Sequence, residues 1–403
     1  MWTRSRRLPA LSSCGIARSA GTFDDCAPYG GEEWNWENCR RYLYEPATYH
    51  DDRHDRSEEL AYIGAGGPIS VSHPDLVPEI AGFRNALTQA WTSKGGGLTE
   101  DVHNGTMRCL WKCTTSIYNG KRSSSWMYLE GKKNATVLSK TNSKRLLIDE
   151  VTKKCIGVEV LLPTKLLMLS GIGREVDLAK FNIKPIVDSA QVGQNLLDHP
   201  ILAHVFRLEY GNGLDHHLLR AGLEHDAAVS AYRWKNKGPY ASGLLELVGL
   251  PRIDDRFMQY PEYIAAKEAN GGLHPFGPAG QPHSEIDFVP MHPLGRRRPD
   301  DWRRDEAKIK EDYPWPMPRT SDAAMDKMIL ERSQKGFHPC GSARMGRNIE
   351  QGVDDGNLRV FGVEKLRVID ASIIPVTPDC QIQNSVYMIA EKVPHPIVNR
   401  MVQ

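Results

Sequence analysis

A histidine and a strand end suited to handling a proton and gripping a polar ligand lie near the C-terminal end of the chain. Gly336-Phe337-His338-Pro339-Cys340-Gly341-Ser342-Ala343-Arg344-Met345-Gly346 sets a histidine inside a turn-prone run of glycine, cysteine and serine. Further on, Leu366-Arg367-Val368-Ile369 is an apolar stretch that predicts a strand, and it ends in Asp370-Ala371-Ser372. A histidine titrates near neutrality, so it can take up and return a proton under ordinary conditions. A strand that ends in an acid and a small residue lets backbone amides come close to a polar ligand. Together they are how an α/β enzyme brings a base and a ligand-gripping strand end to one crevice. For a histidine alone the plainer reading is a core ring hydrogen-bonded to a turn.

Other polar clusters compete for attention. Gln191-Val192-Gly193-Gln194-Asn195-Leu196-Leu197-Asp198-His199-Pro200 is a polar loop around a tight glycine turn. Its Asn195, Asp198 and His199 could form an acid–base group, although a structural role comes first. His216-His217 has the look of a metal pair, but adjacent side chains point apart in a helix or a strand. The eight cysteines contain no Cys-x-x-Cys pair, and no histidine with ligand spacing joins Cys109 and Cys113. They read as buried free thiols, and no metal site is expected.

Several elements can be placed around these residues. Phe83, Leu87 and Trp91 have helical spacing and predict a helix over 81–91. Trp34 and Trp36 belong to a turn that feeds a short helix and packs them inward. Residues 64–71 form a glycine loop entering a strand; 136–138, 145–149 and 155–160 read as strands. Leu166-Leu167-Met168-Leu169 is a short buried helix stopped by Gly171 and Gly173. Residues 201–330 are less regular, with a basic loop over 292–304 and a Pro314-Trp315-Pro316 run that excludes a helix interior.

Bulk composition narrows the function classes. The 403 residues carry 51 basic and 50 acidic side chains for a net charge of +1, which leaves no electrostatic footprint for a nucleic acid. No apolar run reaches transmembrane length, so no membrane partner is expected. Residues 1–21 lack Asp and Glu and hold four arginines. They read as a disordered or targeting-like start rather than a signal peptide, and a cytoplasmic location is favoured.

Three segments carry a resemblance to a known family. Leu166 through Pro200 and His338 through Met388 are similar to two signatures of the glucose-methanol-choline (GMC) oxidoreductases, which are FAD-dependent flavoproteins. Asp24 through Val160 resembles the region between, including Gly67-Pro68-Ile69 and Lys121-Arg122-Ser123-Ser124. The similarity is greatest to secondary-metabolite members of the aryl-alcohol oxidase or dehydrogenase kind, where the Asp379-to-Met388 stretch also occurs. The resemblance implies an α/β fold: a GMC-type FAD-binding body, incomplete here, with a β-rich substrate-binding domain. It divides the chain into the start at 1–21, the FAD-binding body over 22–200, the substrate domain over 201–330 and a C-terminal FAD-binding and catalytic segment over 331–403.

The resemblance also implies roles. His338 takes the first catalytic position, as base for a small-molecule alcohol that gives hydride to the flavin. The partner position, usually His or Asn, falls on Gln381, whose amide can orient a hydroxyl but cannot act as a base. Asp370 and Ala371 approach the cofactor's pyrophosphate or ribityl chain, and Ile382 and Gln383 lie under the flavin pyrimidine edge. Two features depart from the family. No Gly-x-Gly-x-x-Gly follows a strand anywhere in the sequence, and Leu161-Leu162 stands where the family has a strand ending in Ser-Ala-Gly. These departures keep two other readings open: a redox-silent cyclase or dehydratase relative that uses His338 as an acid–base, and an inactive remnant that acts by binding a partner.

Overall fold

A computed structural model of the chain describes residues 19–50, 64, 66–73, 76–99, 104–135, 143–160, 166–207, 213–243, 245–252, 257–269, 281–289, 311–313, 317–318 and 321–393. Residues 1–18 of the expected start at 1–21, the strand at 136–138, Leu161-Leu162, the basic loop at 292–304 and Pro314-Trp315-Pro316 lie outside them; the start's last residues, 19–21, are ordered, with Ser19 capping the helix Ala20–Asp24. The chain forms two units, one from 47–127 and 200–334 and the other from 19–46, 128–199 and 335–403.

In the first unit the glycine loop at 64–67 leads into the strand Ile69–Ser72, which pairs in parallel with Ala47–His50, Ala47 opposite Ile69. A four-stranded sheet runs in the order Ile286–Asp287, Leu247–Gly249, Leu110–Lys112, Leu98–Thr99. The predicted helix over 81–91 is present as Ala81–Ser93, with Phe83, Leu87 and Trp91 half-buried on one stripe. Buried Glu246 holds it to the sheet by pairing with Arg84 and accepting from the Val77 amide at 2.6 Å. The stretch after 200 carries helices at Asp215–Leu218, Leu223–Lys235, Pro261–Ala269 and Asp322–Arg332 beside its short strands.

The second unit holds the candidate site. Asn35 caps the helix Trp36–Tyr44 by accepting from the Asn38 amide at 3.0 Å, so the helix begins where the polar side chain meets the aromatic run. Trp34 is buried and donates its indole N–H to the Gly356 carbonyl at 2.8 Å. These two aromatic-rich turns pack with Phe23, Tyr42, Cys340, Met345, Ile373, Met388 and Ile389 into one core. The strands Ser143–Ile148 and Cys155–Val160 form an antiparallel hairpin, closed by Lys153 at φ +56°. The helix Leu166–Leu169 stops at Gly171, φ +78°, as its spacing predicts, but it is not the buried helix expected, since Leu166, Leu167 and Met168 are only half-buried and Leu169 is exposed. All seven described cysteines are free thiols and six are buried; burial pushes the Cys39 thiol up to about 12.

The stretch Leu366 through Ile369 departs from its expected strand. It belongs to no ladder and makes one isolated antiparallel bridge, Arg359 with Arg367. The chain turns at Asp370, whose carboxylate accepts from the Ser372 amide at 2.8 Å and caps the short 3-10 turn Ala371–Ile373. The turn presents its carbonyls sideways to residues 341–345, a segment that acts as a strap. Ala343 and Met345 donate to the Ser372 and Ile373 carbonyls, both at 2.9 Å. On the other side of the strap, Leu197 and Cys340 exchange both backbone hydrogen bonds at 2.9 Å, and Gly193 donates to Ser342 at 2.8 Å. Gly341 is required at the crossing: its φ is +84°, and a Cβ there would collide with the Asn195 carbonyl oxygen.

Asp354 lies at the far end of the strap, fully buried, and neither carboxylate oxygen has a hydrogen-bond partner among the described residues. Burial, and then the neighbouring Asp355 and Asp370, raise its pKa to about 8. In the unfolded chain the group titrates near its ordinary 3.8. The folded state therefore binds the proton more tightly, and stability falls as pH rises from about 4 through about 8. Asp354→Asn removes the charge. Melting temperatures taken across that window should show the variant gaining on the parent as pH rises, with a constant gap above pH 8; a gap independent of pH would contradict the buried charge.

Candidate active site

The site is built on the second unit around His338. Gly336 donates to the His199 carbonyl at 2.7 Å, and a Cβ at Gly336 would lie 2.8 Å from that oxygen, so the approach needs glycine. Phe337 then turns the chain in the left-handed region, φ +59°, a conformation that costs a non-glycine residue about 1–3 kcal/mol. The turn delivers the His338 amide to Asp198 Oδ1 at 2.8 Å. The His338 ring stands edge-on to that of His199, at an interplanar angle of 86°, with Nδ1 facing Nδ1 at 3.0 Å. The other nitrogen of His199, Nε2, lies 2.5 Å from the Pro378 carbonyl oxygen. His338 and His199 are both half-buried.

The strap brings one other sequence-predicted residue, Ala371, beside this turn. Ala371 lies on the strap's far edge, its carbonyl 3.4 Å from the Gly341 amide, and its side chain packs on the aromatic core. Asp370 spends its carboxylate on the Ser372 amide and hydroxyl, at 2.8 and 2.6 Å, which fixes the turn. Pro378, held by His199, begins the loop that carries Gln381 into the helix Gln383–Lys392. Ile382 is the N-cap of that helix and Gln383 its first residue. The His199 side chain thus links His338 to Pro378, and a backbone bond links Ala371 to Gly341 in the segment after His338.

The structure gives weight to residues that the sequence reading assigned a structural role first, and adds Ser385. His199 and Asp198, read first as loop structure, both touch His338. Their signal was the acid–histidine pair itself, but nothing in the sequence says which of the chain's distant residues it faces. Ser385, in the first turn of the C-terminal helix, is buried with its hydroxyl unpartnered among the described residues. No side chain caps this helix. An uncapped, electropositive helix start beside an unpartnered buried hydroxyl suits an electron-rich, hydrogen-bonding ring edge. That fits the pyrimidine end of a flavin. The pyrophosphate end has no matching turn, because no Gly-x-Gly-x-x-Gly occurs in the 403 residues. Among the described residues, no group of three or more His, Cys, Asp or Glu side chains could hold a metal ion, and no helix is long and apolar enough to cross a membrane.

Chemically, the arrangement offers an imidazole paired with His199 at Nδ1, a main chain held at the His338 amide by Asp198 and an electropositive helix start. It can hold a polar substrate and move a proton at His338.

Known proteins are similar to this chain. Residues 283–390 match the GMC oxidoreductase family profile. A formate oxidase of Aspergillus oryzae RIB40, solved in a form carrying an arginine mutation studied for its effect on FAD modification, superposes with a TM-score of 0.90 at 39% identity, over 96% of this chain and 82% of that one. The oxygen-dependent choline dehydrogenase of Proteus mirabilis (strain HI4320) is 27% identical over 94% of this chain and 78% of its own length. A fungal aryl-alcohol oxidase shares the fold at a TM-score of 0.71 and 17% identity, over 98% of this chain and 85% of that one. With the α/β fold, the strap and the histidine turn in place, this chain belongs to the FAD-dependent glucose-methanol-choline oxidoreductases.

Proposed function

We propose that the protein oxidises a small alcohol, with His338 as the base and Gln381 as the amide that orients the hydroxyl. The observation that carries this reading is the fixed His338 ring, held by Asp198 at its amide and by His199 at its Nδ1. Such rigidity is of little use to a surface histidine and is what proton abstraction in a defined direction requires. The hydroxyl proton passes to the imidazole as hydride leaves the carbinol carbon, and the product is the carbonyl compound. FAD, when bound, supplies the two-electron acceptor for that hydride. Asp370, Ala371, Ile382, Gln383 and the buried Ser385 hydroxyl are the residues that would hold it. By likeness to the aryl-alcohol oxidases, the alcohol is a small aromatic or polyketide-like compound of secondary metabolism.

The 39% identity to a formate oxidase favours a second reading. Formate ion yields carbon dioxide by loss of hydride alone, so no hydroxyl proton needs a base. The two substrate classes therefore place different demands on His338.

Two outcomes are expected. With added FAD, His338→Ala should lower turnover of a benzylic alcohol about a hundredfold or more, whereas Gln381→Asn and Gln381→His should keep most of it. Near-parental turnover of alcohols by His338→Ala would remove His338 as the base; formate turnover that survives in a variant that has lost alcohol oxidation is what the differing demands of the two substrates predict. The second outcome concerns the cofactor. A protein made of these 403 residues alone should lose flavin absorbance on gel filtration, since no glycine-rich turn supplies amides to the pyrophosphate. Stoichiometric FAD retained through the column would show that other residues do that work.

A further inference from the structure

The hydrogen bonds around His199 specify more than a position. A carbonyl oxygen can only accept, so the contact of His199 Nε2 with the Pro378 oxygen at 2.5 Å requires a proton on Nε2. A neutral histidine carries one ring proton, which leaves His199 Nδ1 bare and able only to accept. The Nδ1–Nδ1 contact at 3.0 Å then needs its proton from the other ring. His338 must be the Nδ1–H tautomer, and its Nε2 is the unprotonated nitrogen. The carbonyl of a proline sets this order, because that group has no alternative protonation state and its residue has no amide N–H with which to compete.

We propose that His199 is a positioning residue that fixes the tautomer of His338, so that the basic lone pair sits on Nε2. The chain of donors runs from His338 Nδ1–H to His199 Nδ1, and from His199 Nε2–H to the Pro378 carbonyl. Neutral imidazole in a less ordered setting populates both tautomers, and only the one with its bare nitrogen aimed at the reacting proton can serve as base. Asp198 does the complementary work. Its carboxylate accepts from the His338 backbone amide at 2.8 Å and so fixes the main chain without touching the ring's protonation. Gly336, bonded to the His199 carbonyl at 2.7 Å, ties the two histidine-bearing segments together, so the rings cannot drift apart without breaking backbone bonds.

The consequence for turnover rests on the reading of His338 as the base; the tautomer itself does not. The test is nitrogen-15 NMR of the 403-residue protein labelled at histidine, at a pH where both rings are neutral, with His338 assigned by loss of its signals in His338→Ala. The expected spectrum has His338 protonated at Nδ1 and bare at Nε2. His199→Asn places an amide oxygen near the former Nδ1, keeps an acceptor for His338 and should preserve that pattern. His199→Leu removes the acceptor and should mix the tautomers. A bare Nδ1 in His338 of the parent protein, or an unchanged pattern in a folded His199→Leu, would overturn the assignment. The parent spectrum decides even if both variants fail to fold. It is read without turnover, so inactivity on every substrate would strike the proposed reaction alone, and a bare Nδ1 in an active enzyme would strike this inference alone.

Discussion

The candidate site depends on one constraint: the segment 340–345 is hydrogen-bonded along both of its edges. One edge exchanges bonds with Leu197, and the other receives the carbonyls of Ser372 and Ile373. Each such bond contributes only about 0.5–1.5 kcal/mol net, but leaving a buried amide unpaired costs about 1–3 kcal/mol. The arrangement is therefore held less by the strength of any bond than by the penalty for opening one. The side chains of Cys340 and Met345 lie in the core with Ile373, Met388 and Ile389, so breaking the strap also exposes apolar surface. Gly341 is what lets the two edges come this close.

Rigidity at the strap sustains strain at its start. Phe337 stays in the left-handed region with its side chain largely exposed, so little packing there offsets the cost. The Asp198 carboxylate and the Gly336-to-His199 bond hold the turn instead. Strain of this kind persists where surrounding contacts over-determine a residue, and here it fixes a single histidine. The buried Asp354 at the other end is a second local cost carried by the same segment. Both lie within one short stretch whose backbone bonds are otherwise well satisfied.

The sequence made some of this legible and hid the rest for physical reasons. The helix Ala81–Ser93 was visible because Phe83, Leu87 and Trp91 repeat at the helical period. The hairpin strands and the stop at Gly171 follow from equally local rules. His338 stood out through its Gly/Cys/Ser setting, and the resemblance placed Asp370, Ala371, Ile382 and Gln383 near it. The stretch Leu366 through Ile369 looked like a strand because apolar residues extend easily, but a strand needs a partner edge, and periodicity says nothing about partners. His199 was read as loop structure first for a similar reason. Its contact with His338 spans 139 positions of chain, and only the folded strap brings the two rings together.

One doubly bonded strap holds the histidine turn, and native-state amide hydrogen exchange measures how that strap opens. The amides of Leu197, Cys340, Ala343 and Met345 each donate across a strap edge. They should exchange together, in the slow class of the second unit and with a common opening free energy, because neither edge can open while the other stays closed. Fast, independent exchange at Leu197 and Cys340 beside slow exchange at Ala343 and Met345 would show instead that the edge nearest His338 opens freely and does not hold the histidine turn.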